Sequence, residues 1–159
     1  MLTINLLLFF LPGSRFFSLK TFLLRLAGVK IGKNVRLMNI KVQGKNLKIG
    51  DNTFIGDETN IISGDSFISI GSNCDISSRV SIVTGTHEIG TINKAAGIGY
   101  SKDIVIGNGV WIGFGAIILS GCSIGNGSII GAGSVVRSDI PSGVLAAGNP
   151  AVVKKTLYS

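Results

Sequence analysis

Charge is scarce in this chain. Asp, Glu, Lys and Arg make up 14% of its 159 residues, against about a quarter in ordinary globular domains. Because 45% of the residues are apolar, the deficit excludes a disordered chain, which needs low hydrophobicity and high charge. Histidine occurs once, as His87, so a zinc site built from three histidines, of the carbonic-anhydrase type, has no ligands here. The two cysteines, Cys74 and Cys122, have no metal-ligand spacing and no histidine partner. No metal is expected. Two free thiols fit a reducing cytoplasm. Long apolar runs are missing too. "LTINLLLFFL" (Leu2 to Leu11) stops at Pro12-Gly13, short of the roughly 20 residues that a spanning helix needs. The start also lacks the basic n-region and small-residue cleavage site of a secretory signal.

Acids are absent from one region altogether. Residues 1–48 contain nine Lys and Arg and no Asp or Glu, while 49–159 contain six and eight. A basic segment can face nucleic acid or anionic lipid. No nucleic-acid module and no aromatic–basic stripe is present, so nucleic acid is not an expected partner. "SRFFSLKTFLLRLAG" places Phe16, Leu19, Phe22, Leu23 and Leu26 at helical spacing, with Arg15, Lys20 and Arg25 between them and Gly28 as a stop. Residues 1–28 thus read as a separate apolar, basic helical segment. Two roles stay open for it, and they can coexist. One is an interfacial helix in peripheral contact with the inner membrane surface; the other is a cap over the open end of a solenoid.

Glycine is plentiful, at 23 residues, and it is periodic. Aliphatics recur every six positions: Ile49, Ile55, Ile61, then Ile70, Ile76, Ile82, then Ile106, Ile112, Ile118, Ile124, Ile130 and Val136. The following residue is often glycine, and the fifth place is small or β-branched, as at Thr53, Cys74, Thr86, Ala116, Cys122 and Ser134. Both cysteines therefore read as packed small residues. A six-residue unit suits a solenoid strand plus a tight corner, with the aliphatic in the lumen. Three hexads close a triangular coil of 18 residues. The pattern fails twice: three extra residues lie between Ile61 and Ile70, and residues 88–105 carry no hexads. The second interruption reads as an extended loop leaving the coil just after His87, and long loops in compact repeats are commonly functional.

"SIVTGTHEIG" (Ser81 to Gly90) puts His87 at that exit, sixth in its hexad and facing outward. Trp111 shares the sixth place. An imidazole, with an ordinary pKa of about 6.5, is the usual base for activating a hydroxyl near neutral pH.

The run "IVIGNGVWIGFGAIILSGCSIGNGSIIGAGSVVRSDIPSGVLAAGNPA", with "TGTH" and Trp111 of "VWIG" 24 residues after His87, resembles the hexapeptide-repeat acyltransferases. It is most similar to their sugar and maltose O-acetyltransferase branch, which includes enzymes of capsule, O-antigen and exopolysaccharide biosynthesis. The resemblance spans roughly residues 30–155. It implies an all-β fold, a left-handed parallel β-helix over 29–159, and a homotrimer with acetyl-CoA bound in clefts between subunits. It implies that His87 is the general base, taking a proton from a sugar hydroxyl that attacks the thioester. Glu88 would orient the ring. Trp111 would flank the acetyl-pantetheine arm or the sugar, and the backbone at Phe114, Gly115, Ala132, Gly133 and Ser134 would meet the pantetheine amides. Asn149 and Pro150 would close the last coil near the adenine. Lys155 leads Arg137 and Lys154 as a phosphate cation, although Ser138 and Val152 stand where relatives often carry basic residues. Asn60 would help hold the acceptor. Glycan, antibiotic and serine acceptors all occur on this scaffold, and a non-enzymatic β-helix is the other class left open. A cytoplasmic location is expected.

Overall fold

Backbone spacing decides the architecture. Each hexad folds into a strand of two or three residues and a corner, and the strands stack on those of the next coil. The computed structural model describes residues 2–11 and 13–158; Met1, Pro12 and Ser159, and with Pro12 the break expected there, lie outside the described residues. Two helices, α1 (Leu2–Phe10) and α2 (Phe17–Leu26), come first. The first coil holds β1 (Lys30–Ile31), β2 (Arg36–Leu37) and β3 (Lys41–Gln43). The second holds β4 (Leu47–Ile49), β5 (Phe54–Ile55) and β6 (Asn60–Ile62), and the third β7 (Ile68–Ile70), β8 (Asp75–Ile76) and β9 (Ser81–Val83). After an excursion, β10 (Gly85–Thr91) and β11 (Lys94–Ser101), the coils resume with β12 (Ile104–Ile106), β13 (Trp111–Ile112) and β14 (Ile117–Ile118). The fifth coil is β15 (Ser123–Ile124), β16 (Ile129–Ile130) and β17 (Val135–Val136); β18 (Val144–Ala147) and β19 (Val152–Thr156) end the chain.

The result is a parallel β-solenoid of about six turns with three flat faces. Face I is β1-β4-β7-β12-β15, face II runs from β2 through β5, β8, β13 and β16 to β18, and face III is β3-β6-β9-β14-β17. Register between coils is 18 residues where the hexads are unbroken, as in Trp111↔Ile129. It stretches to 36 across the excursion, as in Trp111↔Asp75, without disturbing the ladder. β19 then reverses and pairs antiparallel with β18.

The lumen is as the hexads require. Ile55, Ile61, Ile76, Ile82, Ile112, Ile118, Ile130 and Val136 are fully buried, with Thr53, Thr59, Cys74, Cys122, Ser128 and Ser134 filling the smaller positions. Thr86 departs from expectation. The coil ends at Thr84, which is buried with its hydroxyl on the Ser63 carbonyl at 2.6 Å, and Thr86 already belongs to β10. The expected loop over 88–105 is likewise a paired hairpin, β10 against β11, beginning at Gly85, and Ile104 and Ile106 are back in the lumen.

The open end of the solenoid exposes unpaired strand groups on all three faces, and each meets a side chain from the helices. On face I the Arg25 guanidinium donates to the carbonyls of Ile31 (3.1 Å) and Gly32 (2.6 Å). On face II Lys20 Nζ donates to the Leu37 carbonyl (3.3 Å) and to that of Gly13 (2.8 Å). On face III the Asn5 amide pairs with both backbone groups of Val42, donating at 2.8 Å and accepting at 3.2 Å, as another strand would. Leu8 and Leu24 plug the lumen. Most of the apolar stripe of α2 is turned outward. Its buried side carries Lys20, Thr21 and Leu24, whereas Phe16, Leu19, Phe22 and Leu26 are exposed. Burial pulls the Lys20 ammonium below the usual lysine range, opposed by Asp57. Among the described residues, no helix is long and apolar enough to cross a membrane.

Lys20→Met should lower unfolding free energy by about 1–3 kcal/mol, the cost of a buried carbonyl left unmatched. Leu19→Ser, on the outer side of the same helix, should stay within about 0.5 kcal/mol of wild type. Denaturant titration of both variants checks the pair.

Candidate active site

His87 stands on the hairpin that leaves the edge between faces III and I. It pairs with Gly99 across the hairpin, and a bulge separates it from Ile89. Its Nδ1 lies 3.1 Å from the Gly97 carbonyl oxygen. A carbonyl only accepts, so in the neutral ring the proton is assigned to Nδ1 and the lone pair to Nε2. Among the described residues, the hydrogen-bond partner of the ring is the Gly97 carbonyl and not Glu88. Neighbouring residues on a strand point to opposite faces, which separates His87 from Glu88. A β-carbon at Gly99 would sit 3.4 Å from the ring, so glycine there leaves the imidazole its room. A cavity of about 360 Å³ beside His87 is lined also by Asp65, Thr86 and Tyr100. Tyr100, with Lys102 over its ring at 5.6 Å, breaks the hexad pattern, and that break was its only signal in the sequence.

The residues expected around the acyl donor gather elsewhere, along the edge between faces II and III. Phe114 and Gly115 turn this corner in the fourth coil, Ala132 and Gly133 in the fifth, and Asn149 and Pro150 after β18. They are stacked by hydrogen bonds: Gly133 N–H to the Phe114 carbonyl (2.8 Å) and Val135 N–H to the Gly148 carbonyl (2.9 Å). Gly115 and Gly133 have φ of 68° and 67°, with no atom within 4 Å of where a β-carbon would stand. The corner demands glycine for its backbone, and the same glycines leave the main chain open to a ligand. The Ser134 side chain turns away from that surface. It is buried, and its hydroxyl accepts the Gly148 N–H at 3.1 Å inside the coil. Trp111, half exposed, lies on face II between Asp75 and Ile129, so it does not share an outward direction with His87 as the hexad count implied. Lys154 and Lys155 are exposed on β19, while Arg137 follows β17 towards the other corner.

The same II–III edge changes character in the lower coils. A cavity of about 710 Å³ lies there, between Leu6, Leu8 and Ile40 on one side and Asn39, Asp57, Glu58, Asn60 and Arg79 on the other. Asn60 lines this cavity; so do Arg79, Glu58 and Asp57, which the sequence reading did not single out. Glu58 and Arg79 take the corner with φ of 57° and 61°, a conformation rare for side chains of this size and found disproportionately at functional sites. They form an ion pair at 2.6 Å, and the guanidinium also covers Phe114 at 5.7 Å, linking the cavity to the glycine corners above. Asn39 Oδ1 is buried without a hydrogen-bond partner among the described residues.

The cysteines take no part. Burial pushes both thiols above the ordinary cysteine range, and a buried thiol is a poor nucleophile. Among the described residues, no group of three or more His, Cys, Asp or Glu could hold a metal ion.

Comparison with known proteins adds independent findings. The family model described as bacterial transferase hexapeptide (six repeats) matches residues 103–138. A galactoside acetyltransferase solved with coenzyme A is 31% identical, with a TM-score of 0.88 over 98% of this chain and 78% of that one. A maltose O-acetyltransferase from Clostridium difficile 630 is 32% identical, with a TM-score of 0.83 over 99% and 84%. A hexapeptide-repeat-containing acetyltransferase from Vibrio cholerae, complexed with acetyl coenzyme A, is 28% identical, with a TM-score of 0.87 over 99% and 85%. None of the curated proteins matches.

With a single histidine in the chain, nitrogen-15 labelling of histidine reads one imidazole without assignment. The neutral ring should show the pyridine-like shift at Nε2. A pyridine-like Nδ1 would contradict the Gly97 hydrogen bond.

Proposed function

The chain belongs to the hexapeptide-repeat acetyltransferase family, and from that premise we propose that it transfers an acetyl group from acetyl-CoA to a sugar hydroxyl, with His87 as general base. Nε2 takes the hydroxyl proton as the oxygen attacks the thioester carbonyl carbon. The tetrahedral intermediate collapses, the carbon–sulfur bond breaks, and the imidazolium returns its proton to the leaving thiolate of CoA.

The observation that carries the arrangement is a separation. His87 is on the III–I edge, and the glycine corners and the 710 Å³ cavity are on the II–III edge, across a three-residue strand of about 10 Å. One protomer does not bring them together. A second copy does so in a cyclic assembly whose axis runs along the solenoid, because such symmetry keeps heights equal. The hairpin leaves between the third and fourth coils, so His87 of one copy comes level with the junction on its neighbour. Above that junction lie Phe114, Gly115, Ala132, Gly133 and Asn149, suited to the pantetheine arm; Pro150 and Lys155 follow towards the nucleotide. Below it lies the cavity, with an apolar wall for a pyranose face and the polar groups of Asn39, Asn60 and Arg79 for its hydroxyls. The exposed Ile89, Ile92 and Ile98 of the hairpin give it an apolar surface for the neighbour. The assembly we propose is the homotrimer, working in the cytoplasm on glycan precursors of capsule, O-antigen or exopolysaccharide.

The test is thiol release from acetyl-CoA across a panel of mono- and oligosaccharides. His87→Ala should lower turnover by about 10²- to 10⁴-fold while acetyl-CoA affinity holds. An alanine variant of undiminished turnover would remove the base, and failure of every hydroxylated acceptor would remove the sugar.

A further inference from the structure

The helical cap has an outer surface that acetyl transfer leaves unused. Because α2 turns Lys20, Thr21 and Leu24 inward to close the strand ends, Leu19, Phe22 and Leu26 point away from the protein. Leu19, Phe22 and Leu26 are 43%, 53% and 68% exposed, Phe16 at its start is 55% exposed, and α1 adds Leu7 at 48%. A helix that buries its lysine and exposes Leu19, Phe22 and Leu26 is built for an apolar medium on its free side.

Charge identifies the medium. Residues 1–48 hold nine Lys and Arg and no acid; all but Lys20 are exposed. Arg15 precedes α2, Arg25 lies in its last turn, and the Lys45 side chain lies beside Gly28 at its end. Apolar residues flanked by Arg15, Arg25 and Lys45 complement an anionic lipid surface, acyl chains below and headgroups around. A second copy presenting the same face across a two-fold axis would set cation against cation. At nine and ten residues, neither helix spans a bilayer, and both can lie in its surface. We propose that the outer face of α1 and α2 docks this protein on anionic membrane, holding the solenoid with its first coil towards the lipid.

Co-sedimentation of the 159-residue chain with phosphatidylcholine vesicles, alone or mixed with phosphatidylglycerol, tests this. Binding should require the anionic lipid and weaken with salt. Leu19→Ser/Phe22→Ser should lose roughly tenfold in partitioning, and Arg15→Glu/Lys45→Glu, which leaves the apolar face intact, should also weaken it. Unfolding profiles confirm that each variant is folded, and the two pairs report independently should one not be. Absence of wild-type binding, or equal binding by the double serine variant, would overturn the proposal. So would a concentration-dependent change in mass that the serine pair abolishes without any vesicle binding, which would make the face a contact between copies.

Discussion

The corner is the constraint on which the rest of this molecule depends. A coil of short strands closes only if the backbone turns sharply between faces, and here most corners turn through a residue of positive φ. Between faces I and II that residue is Asn34, Asn52 and Asn73 in the early coils, then Gly109, Gly127 and Gly143. Asparagine tolerates the left-handed region better than other side chains and glycine is indifferent to it, which accounts for both choices. With the corners fixed, alternate residues fall into the lumen, and the aliphatic ladder and its buried thiols, serines and threonines follow. At the II–III edge the lower coils place Glu58 and Arg79 in the same conformation. Two large polar residues in strained backbone, tied to each other and to Phe114, mark that edge as more than a turn.

Solenoids tolerate insertion because each coil contacts only its neighbours. The hairpin of residues 85–101 exploits this: β8 and β13 are consecutive rungs although 36 residues separate them in sequence. The helices use the same architecture at its end, where Asn5, Lys20 and Arg25 complete three strand edges that a further coil would otherwise pair. Capping and catalysis are thus added to a repeat that neither disturbs.

The fold was legible in the sequence because period six leaves few alternatives, and Ile49 to Val136 fall in the lumen as counted. As a candidate base, His87 was legible from "TGTH" and from being the only imidazole. What orients it was not, since the Gly97 carbonyl is a backbone group brought close by hairpin pairing that no periodicity records. Hexad counting continued through Thr86 and paired His87 with Trp111, because counting cannot see that the coil ends at Thr84. The apolar spacing of α2 was read as a helix, with a cap and an interfacial role both left open. Spacing identifies an apolar stripe but not whether the surface it meets offers hydrocarbon or carbonyl oxygens, and here the solenoid end offers oxygens. Arg79 and Glu58 left no signal because corner residues in hexads vary freely.

As proposed, one active site needs two copies of the chain, His87 from one and the II–III edge from the next. Co-expression of His87→Ala with an edge-blocking variant, Ala132→Trp, tests it most directly, since each alone removes one half of every site. Random mixing in a cyclic oligomer pairs an intact histidine with an intact edge at about a quarter of the interfaces, so the mixture should recover roughly a quarter of wild-type turnover. If the mixture stays as inactive as either parent while assembling normally, each site lies within a single chain and the account is wrong.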